Sequence, residues 1–207
     1  MKVLLVNGSP REKGCTYTAL SIVGEELNAG GMETEIFHVG TEPIEGCRAC
    51  GYCMHHTGCV IGDVVNAFMS KVIDTDGFVF GSPVYYAAAS GQITSFMDRV
   101  FFSSGRHLLR GKPAAAIVSC RRAGSTAALD QLNKYFLIKQ MPIVSSQYWN
   151  MVHGQNPDEV RLDLEGVQIM RTLGKNMVWL LRCIEAGRQA GVALPPAEPV
   201  IFTNFIR

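Results

Sequence analysis

Four cysteines fall in one short stretch, Cys47-x2-Cys50-x2-Cys53-x5-Cys59. Thiolates crowded in this way are metal ligands or redox groups. Three of them, Cys47, Cys50 and Cys53, are close enough to curl around one face of a cubane, and the fourth returns after a short loop. A [4Fe–4S] cluster and free or transiently oxidised thiols both fit the spacing. A structural zinc more often takes well-separated Cys-x-x-Cys pairs. The other cysteines, Cys15, Cys120 and Cys183, are scattered, and the total of seven is odd. That is the wrong pattern for a secreted disulfide framework.

A second candidate site is the run Asn7-Gly8-Ser9-Pro10-Arg11-Glu12-Lys13-Gly14-Cys15-Thr16, which follows the apolar Val3 to Val6 and opens a helical pattern. Backbone N–H groups and a helix dipole converge at such a junction, which suits an anion. Ser9 and Thr16 add hydroxyls, and Arg11 a guanidinium fork matched to phosphate. Taken alone, Gly8-Ser9-Pro10 is also ordinary turn chemistry; its place after a buried strand favours the anion. Gly8 and Gly14 are separated by five residues with no Lys after Gly14, and G-x-G-x-x-G is absent, so neither a P-loop nor a dinucleotide fingerprint is present.

Two further loops have specialised compositions. Gly81-Ser82-Pro83-Val84-Tyr85-Tyr86 offers a backbone that a flat ligand can approach and two rings to lie against it; core packing is the alternative for the tyrosines. Ser119-Cys120-Arg121-Arg122-Ala123-Gly124-Ser125 carries adjacent arginines, either solvated or ligating.

The elements that must position these loops are legible as alternating apolar runs and helical patterns. Val3 to Val6, Phe78 to Phe80, Ala114 to Val118 and Ile143 to Val144 are continuous apolar runs, expected of strands buried on both faces of a parallel sheet. Thr34 to Val39 alternates and suits an edge. Helices are expected over Thr16 to Leu27, stopped by Gly30-Gly31; over Val64 to Ile73, capped by Asp63; after Ser90-Gly91; after a capping Ser125; and over about Asp163 to Ala186. Irregular excursions are expected at about 41–62 and 147–162. Five strand–helix alternations predict an α/β, flavodoxin-like three-layer sandwich with a five-stranded parallel sheet of order 2-1-3-4-5. Residues 1–190 form the expected domain and 191–207 a C-terminal tail. Ligands of open α/β sheets bind beyond the carboxyl ends of the strands where the order reverses, which is where the three loops meet.

Composition narrows the partners. With 19 Lys plus Arg against 18 Asp plus Glu in 207 residues, the formal charge is +1, so no global field attracts nucleic acid or an anionic membrane. The apolar run after Lys2 is too short for a signal-peptide core. A cytoplasmic protein is expected.

Together these loops resemble the NAD(P)H-dependent FMN reductase and iron–sulfur flavoprotein group of the flavodoxin superfamily. The resemblance rests on Gly8-Ser9-Pro10-Arg11 with Gly14 and Thr16, on Gly81 to Tyr86 with Ser90-Gly91-Gln92 and Asp98-Arg99, and on Arg121-Arg122-Ala123-Gly124. It implies FMN as cofactor and NADPH or NADH as reductant. It assigns the FMN phosphate to Ser9, Arg11 and Thr16, with Cys15 where the family usually has Asn; a thiol is a weak hydrogen-bond partner, which leaves that contact to the backbone. It places Pro83, Val84, Tyr85 and Tyr86 beside the isoalloxazine ring, and Ser119, Arg121, Arg122 and Gly124 at its other edge. The Cys47, Cys50, Cys53 and Cys59 motif resembles the cluster motif of iron–sulfur flavoproteins, with a [4Fe–4S] cluster as the implied metal group. Homodimers or homotetramers are the implied assembly. The aromatics of Gln147 to Gly154 suit either an acceptor pocket or a subunit contact, and the long Asp163 to Ala186 helix and the apolar tail residues Val200, Ile201, Phe202, Phe205 and Ile206 suit subunit contacts or packing on the same subunit.

Three functions follow as expectations. The first is an FMN-dependent NAD(P)H oxidoreductase reducing a small acceptor such as a flavin or quinone. The second is a relay from FMN through a [4Fe–4S] cluster to a protein partner, and the third a non-enzymatic thiol or metal sensor. Hydride transfer needs two rings held face to face rather than an acid–base pair, so His55, His56 and His153 are assigned no catalytic role.

Overall fold

A computed structural model describes residues 1–205; Ile206 of the expected tail contact lies outside the described residues. Six strands and six helices follow in chain order: β1 (Lys2–Asn7), α1 (Cys15–Ala29), β2 (Glu33–His38), α2 (Val64–Val72), β3 (Gly77–Tyr85), β4 (Ala88–Ala89), α3 (Gly91–Ser103), β5 (Ala114–Cys120), α4 (Ser125–Ile138), β6 (Met151–His153), α5 (Pro157–Leu162) and α6 (Leu164–Gln189). The principal strands pair in parallel in the order β2-β1-β3-β5-β6, and β4 turns back antiparallel on β3. With that hairpin strand set aside, the order is the flavodoxin-like one expected.

The apolar runs are buried on both faces because neighbouring side chains of a strand point to opposite sides. Leu4, Val6, Phe78, Phe80, Ala114, Ala116 and Val118 join Phe68, Phe96 and Phe136 of α2, α3 and α4 in one core. Val3, Leu5, Val79, Ala115 and Ile117 face the other way, against α1 and α6. Phe68 is the hub of the first core: its ring lies 5.2 Å from Phe37 and from Phe96, both edge-on, and 6.2 Å from Phe78 and Phe80.

Asp63 caps α2 by accepting from Val65 N at 3.0 Å, and Ser90 caps α3, as expected. Three expectations are corrected. Ile143-Val144 is not a strand: only a single bridge joins Ile143 to Ala114, and the fifth parallel position is taken by Met151–His153 on Val118–Cys120. Much of 147–162 is therefore ordered, since it also contains α5, which has Pro157 in its first turn and Asn156 accepting from Glu159 N at 2.9 Å. Finally, Ser125 does not cap α4; it is the first helical residue, and Gly124 at φ 86° is the cap. Asp163 caps α6 through Gly166 N at 3.0 Å and also accepts from His153 N at 2.7 Å, tying β6 to that helix. Residues 191–205 contain neither helix nor strand. Among the described residues no helix is long and apolar enough to cross a membrane.

Truncating the hub tests this packing. Phe68→Ala is expected to lower the unfolding free energy by about 3–5 kcal/mol, whereas Ile138→Ala, at a side chain 79% exposed, should change it by less than about 0.5 kcal/mol. Denaturant titration of both variants makes the comparison.

Candidate functional site

The loop between β1 and α1 is shaped from outside, leaving its inner face open. Buried Asn7 spans it: Nδ2 donates to the Glu12 carbonyl at 2.9 Å and Oδ1 accepts from Ser9 N at 3.1 Å. Ser9 Oγ accepts from Arg11 N at 3.1 Å. Gly8 N donates to the Gly81 carbonyl at 2.9 Å, Ser90 Oγ donates to the Gly8 carbonyl at 3.0 Å, and His38 Nε2 lies 2.8 Å from the Ser9 carbonyl. No side chain caps α1, so its first-turn N–H groups are left for an incoming acceptor. Arg11 is exposed and joins none of the ion pairs among the described residues.

The three strand ends converge on one open cavity of about 290 Å³. Ser9, Arg11, Cys15 and Thr16 of the first loop, Pro83, Val84 and Tyr85 of the second, and Ser119 and Arg121 of the third line it. Thr16 Oγ1 and Ser119 Oγ, 2.9 Å apart and buried, stitch the first loop to the third. No carboxylate side chain is among the lining residues; the nearest acidic groups, Glu159 and Asp163, act on Cys15 and Cys120 from behind the wall, so the positive end of α1 and the guanidinium groups face the cavity itself.

Three expected residues do not line the cavity. Tyr86 is fully exposed at φ 51°, and Ala87 follows at φ 60°, because Tyr85 and Ala88 are paired across a tight hairpin turn. That turn type usually takes Gly or Asn, so residue chemistry gave no sign of it. Arg122 is exposed beside Arg121. Gly124 underpins the hairpin: a Cβ there would stand 2.6 Å from Ala87 Cα and 3.2 Å from Val84 Cγ1. Cys120, inside the third loop expected at the ring's edge, Gly154, the last residue of the Gln147 to Gly154 stretch, and Gln155, which the sequence reading missed, complete the lining. Gly154 N donates to the Cys120 carbonyl at 3.0 Å, and the Cys15 thiol donates to the Gly154 carbonyl at 3.6 Å. Burial pushes the Cys15 and Cys120 thiols up, keeping both as neutral thiols. Gly154 and Gln155 directly follow β6, so the misplacement of that strand hid Gln155.

The four clustered cysteines line a second, small cavity of about 20 Å³ together with Arg48, Tyr52, Phe102 and Arg99. All four are free thiols, with Cys47 and Cys50 exposed and Cys53 and Cys59 half-buried. Burial pushes the Cys53 thiol up. Arg99, 1% exposed, pairs with Asp63 at 2.6 Å and points at the Cys59 sulfur. Burial alone would lower its pKa, but the hydrogen bonds to Asp63 and Cys59 outweigh that and hold it above the usual arginine value. The donor set suits a thiolate-ligated cluster: four sulfurs, no disulfide and a cation against one of them. Among the described residues no three ligand side chains already converge on a single metal position.

Comparison with known proteins agrees with this geometry. Residues 1–156 match the family model described as NADPH-dependent FMN reductase. This chain belongs to that family. FMN is accordingly its flavin, NADPH the reductant for which the family is named, and FMN-dependent oxidoreduction its kind of activity. An iron-sulfur flavoprotein of Methanocaldococcus jannaschii is 31% identical over 195 residues, covering 89% of this chain and all of the relative. Another, from Methanosarcina thermophila, is 26% identical over 191 residues and covers 91% of this chain and 99% of the relative. Among solved structures, RosB with bound 8-demethyl-8-formylriboflavin-5′-phosphate superposes with a TM-score of 0.70 at 14% identity, covering all of this chain and 94% of the other; that likeness speaks to the fold alone.

The cavity wall depends on Gly124. Because its backbone is left-handed and Ala87 sits against it, Gly124→Ala is expected to cost about 1–3 kcal/mol of stability. Chemical denaturation quantifies the loss, and a crystal structure of the variant should show the Tyr85–Ala88 hairpin displaced.

Proposed function

We propose that this oxidoreductase holds FMN in the 290 Å³ cavity, receives hydride there from NADPH, and passes electrons onward singly through an iron–sulfur cluster ligated by Cys47, Cys50, Cys53 and Cys59. One observation carries the flavin placement: an uncapped helix N-terminus and an unpaired Arg11 face the same carboxylate-free cavity. Ser9, Arg11, Thr16 and the first backbone N–H groups of α1 hold the phosphate. Charge-assisted donors of this kind favour a dianion over water. Cys15, a neutral thiol engaged with Gly154, contributes its backbone N–H rather than its sulfur. Pro83, Val84 and Tyr85 form one wall of the ring site, while Ser119, Arg121 and Gly154 form the other. Gly124 and Tyr86 act on that wall from outside it, through the hairpin. Arg122, beside the mouth, adds positive charge for the phosphates of the nicotinamide donor. Bound FMN supplies the hydride-accepting N5 and the capacity to release electrons one at a time.

The four free thiols around one pocket favour the relay over reduction of a small diffusible acceptor, and the iron-sulfur flavoprotein relatives support it. A cluster there supplies one-electron transfer. The exposed pair Tyr148 and Trp149, ring centroids 4.6 Å apart beside the edge strand, suits a contact with a second copy in a homo-oligomer.

Arg11→Ala should weaken FMN binding by about 1.5–3 kcal/mol, roughly ten- to a hundredfold, in fluorescence titration of the apoprotein; unchanged affinity removes Arg11 from the phosphate site. Anaerobically purified protein should show flavin bands over broad iron–sulfur absorption, with iron and sulfide in equal amounts. Flavin bands alone, with neither element bound, would leave the reductase without the relay.

A further inference from the structure

Within the cysteine pocket, one sulfur has a partner unlike the others. Arg99 lies on α3 and is the largest side chain buried to this degree, 1% exposed. Its guanidinium grips Asp63 as a fork, Nη1 to Oδ2 at 2.6 Å and Nη2 to Oδ1 at 2.9 Å. Nη2 also donates to the Ile61 carbonyl at 3.1 Å and Nη1 to the Glu45 carbonyl at 3.4 Å. Two N–H groups, Nε and Nη2, face the Cys59 sulfur at 3.4 Å each.

This pattern exceeds what a clamp requires. Asp63 and the two carbonyls would anchor the guanidinium and join the ends of the cysteine excursion, Glu45 and Ile61, to α3. Nε, however, has the Cys59 sulfur as its acceptor. A cation so little exposed is weakly screened, and its charge falls on whatever Cys59 ligates.

We propose that Arg99 is the positioning residue of the cysteine site: it fixes Cys59, and its charge beside that sulfur favours the reduced state of a cluster held there, raising its reduction potential. This rests on the cluster reading above and adds to it a residue outside the thiol set. Hydrogen bonds and positive charge at a ligand sulfur stabilise an added electron. Asp63 opposes part of that charge, so the two residues should move the potential in opposite directions.

The test uses holoprotein purified and reconstituted without oxygen, as wild type, Asp63→Asn and the double variant Arg99→Gln/Asp63→Asn. Asn keeps the α2 cap, and the double variant leaves no stranded carboxylate. Spectroelectrochemical titration should give a higher potential for Asp63→Asn than for wild type. Between Asp63→Asn and the double variant, the ratio of oxidised to reduced cluster at fixed potential should rise at least tenfold, about 59 mV for one electron. Equal potentials in all three, whatever the iron content, overturn the proposal while leaving the cluster reading intact. If wild type binds no iron and sulfide, the cluster reading fails and the potential-raising role fails with it. The fixing of Cys59 is then decided, as it is if the double variant does not fold, by ¹⁵N-resolved spectra of the cluster-free chain. A slowly exchanging Arg99 Nε–H lost in Cys59→Ala supports it, and an unchanged resonance overturns it.

Discussion

Because the central strands bury both faces, they have no surface on which to display polar chemistry except their ends. Helices α1 and α6 cover one side of the sheet, and α2, α3 and α4 cover the other. All five principal strands run in parallel, so their carboxyl ends share one edge. Reversal of strand order about β1 and β3 opens a crevice at that edge. The rest of the molecule follows from this constraint: loops of unrelated sequence, starting at Asn7, Gly81 and Ser119, are brought together chiefly by the packing of the strands and helices that carry them, with Cys15 and Val84 resting against the two cores. The hydrogen bonds Gly8 to Gly81 and Thr16 to Ser119 then lock the loops to one another. The crevice keeps its shape because its walls are extensions of the core.

What could be read from sequence divides along the range of the physical cause. Continuous apolarity at Val3 to Val6 and Ala114 to Val118 reports burial on both faces whatever the neighbours are. Asp63 and Ser90 cap their helices through bonds two or three residues away. These local signals placed the strand ends, and with the family resemblance they named nine residues that line the cavity. The failures were non-local. Ile143-Val144 is as apolar as a short strand, but the chain leaves the sheet edge after one bridge and returns at Met151. Ser125 has the chemistry of a cap, yet the close approach of Ala87 demands a residue without a side chain in a left-handed conformation one position earlier. Gly154 contributes backbone atoms, which carry no signature in residue type.

Arg99 illustrates the same limit more sharply. The sequence marks Asp98-Arg99 only as part of the family resemblance, and the fold reveals that a carboxylate 36 positions earlier and a sulfur 40 positions earlier lie against Arg99. Burying a cation is unfavourable unless charged and polar partners meet it closely. Here a bidentate Asp63, two carbonyls and Cys59 do so. The cysteine excursion has few apolar anchors of its own, with Cys47, Cys50, Tyr52 and Met54 all exposed. Its attachment to the body combines the Arg99–Asp63 pair with hydrogen bonds from Asn66 and Gln92 and the packing of Ile44 and Cys59 on the core.

Helix α3 connects the two sites mechanically. At its start, Ser90 Oγ bonds the Gly8 carbonyl and Ser90 N bonds Ser82 Oγ, tying the helix to the first and second strand-end loops. Gln92 Nε2 reaches the Gly40 and Glu42 carbonyls, where the cysteine excursion begins. Two and a half turns later Arg99 holds the excursion's far end, and Phe102 and Ser103 wall the thiol pocket. At 1.5 Å per residue, Ser90 and Arg99 are about 14 Å apart along the axis. A helix anchored on its inner face by Ile93, Phe96, Met97 and Val100 cannot shorten or bend appreciably without opening the core. The separation of the strand-end cavity and the thiol pocket within one chain is thus set by a rigid element, and any adjustment between them must come from the loops at its ends. The Gly8 to Thr16 loop is braced from three sides, by Gly81, His38 and Ser90, whereas Cys47 and Cys50 are exposed on a segment with Ala49 at φ 52° and Gly51 at φ 72°. The cysteine side is thus the less braced of the two, with Cys59 held against Arg99 while Cys47 and Cys50 face solvent.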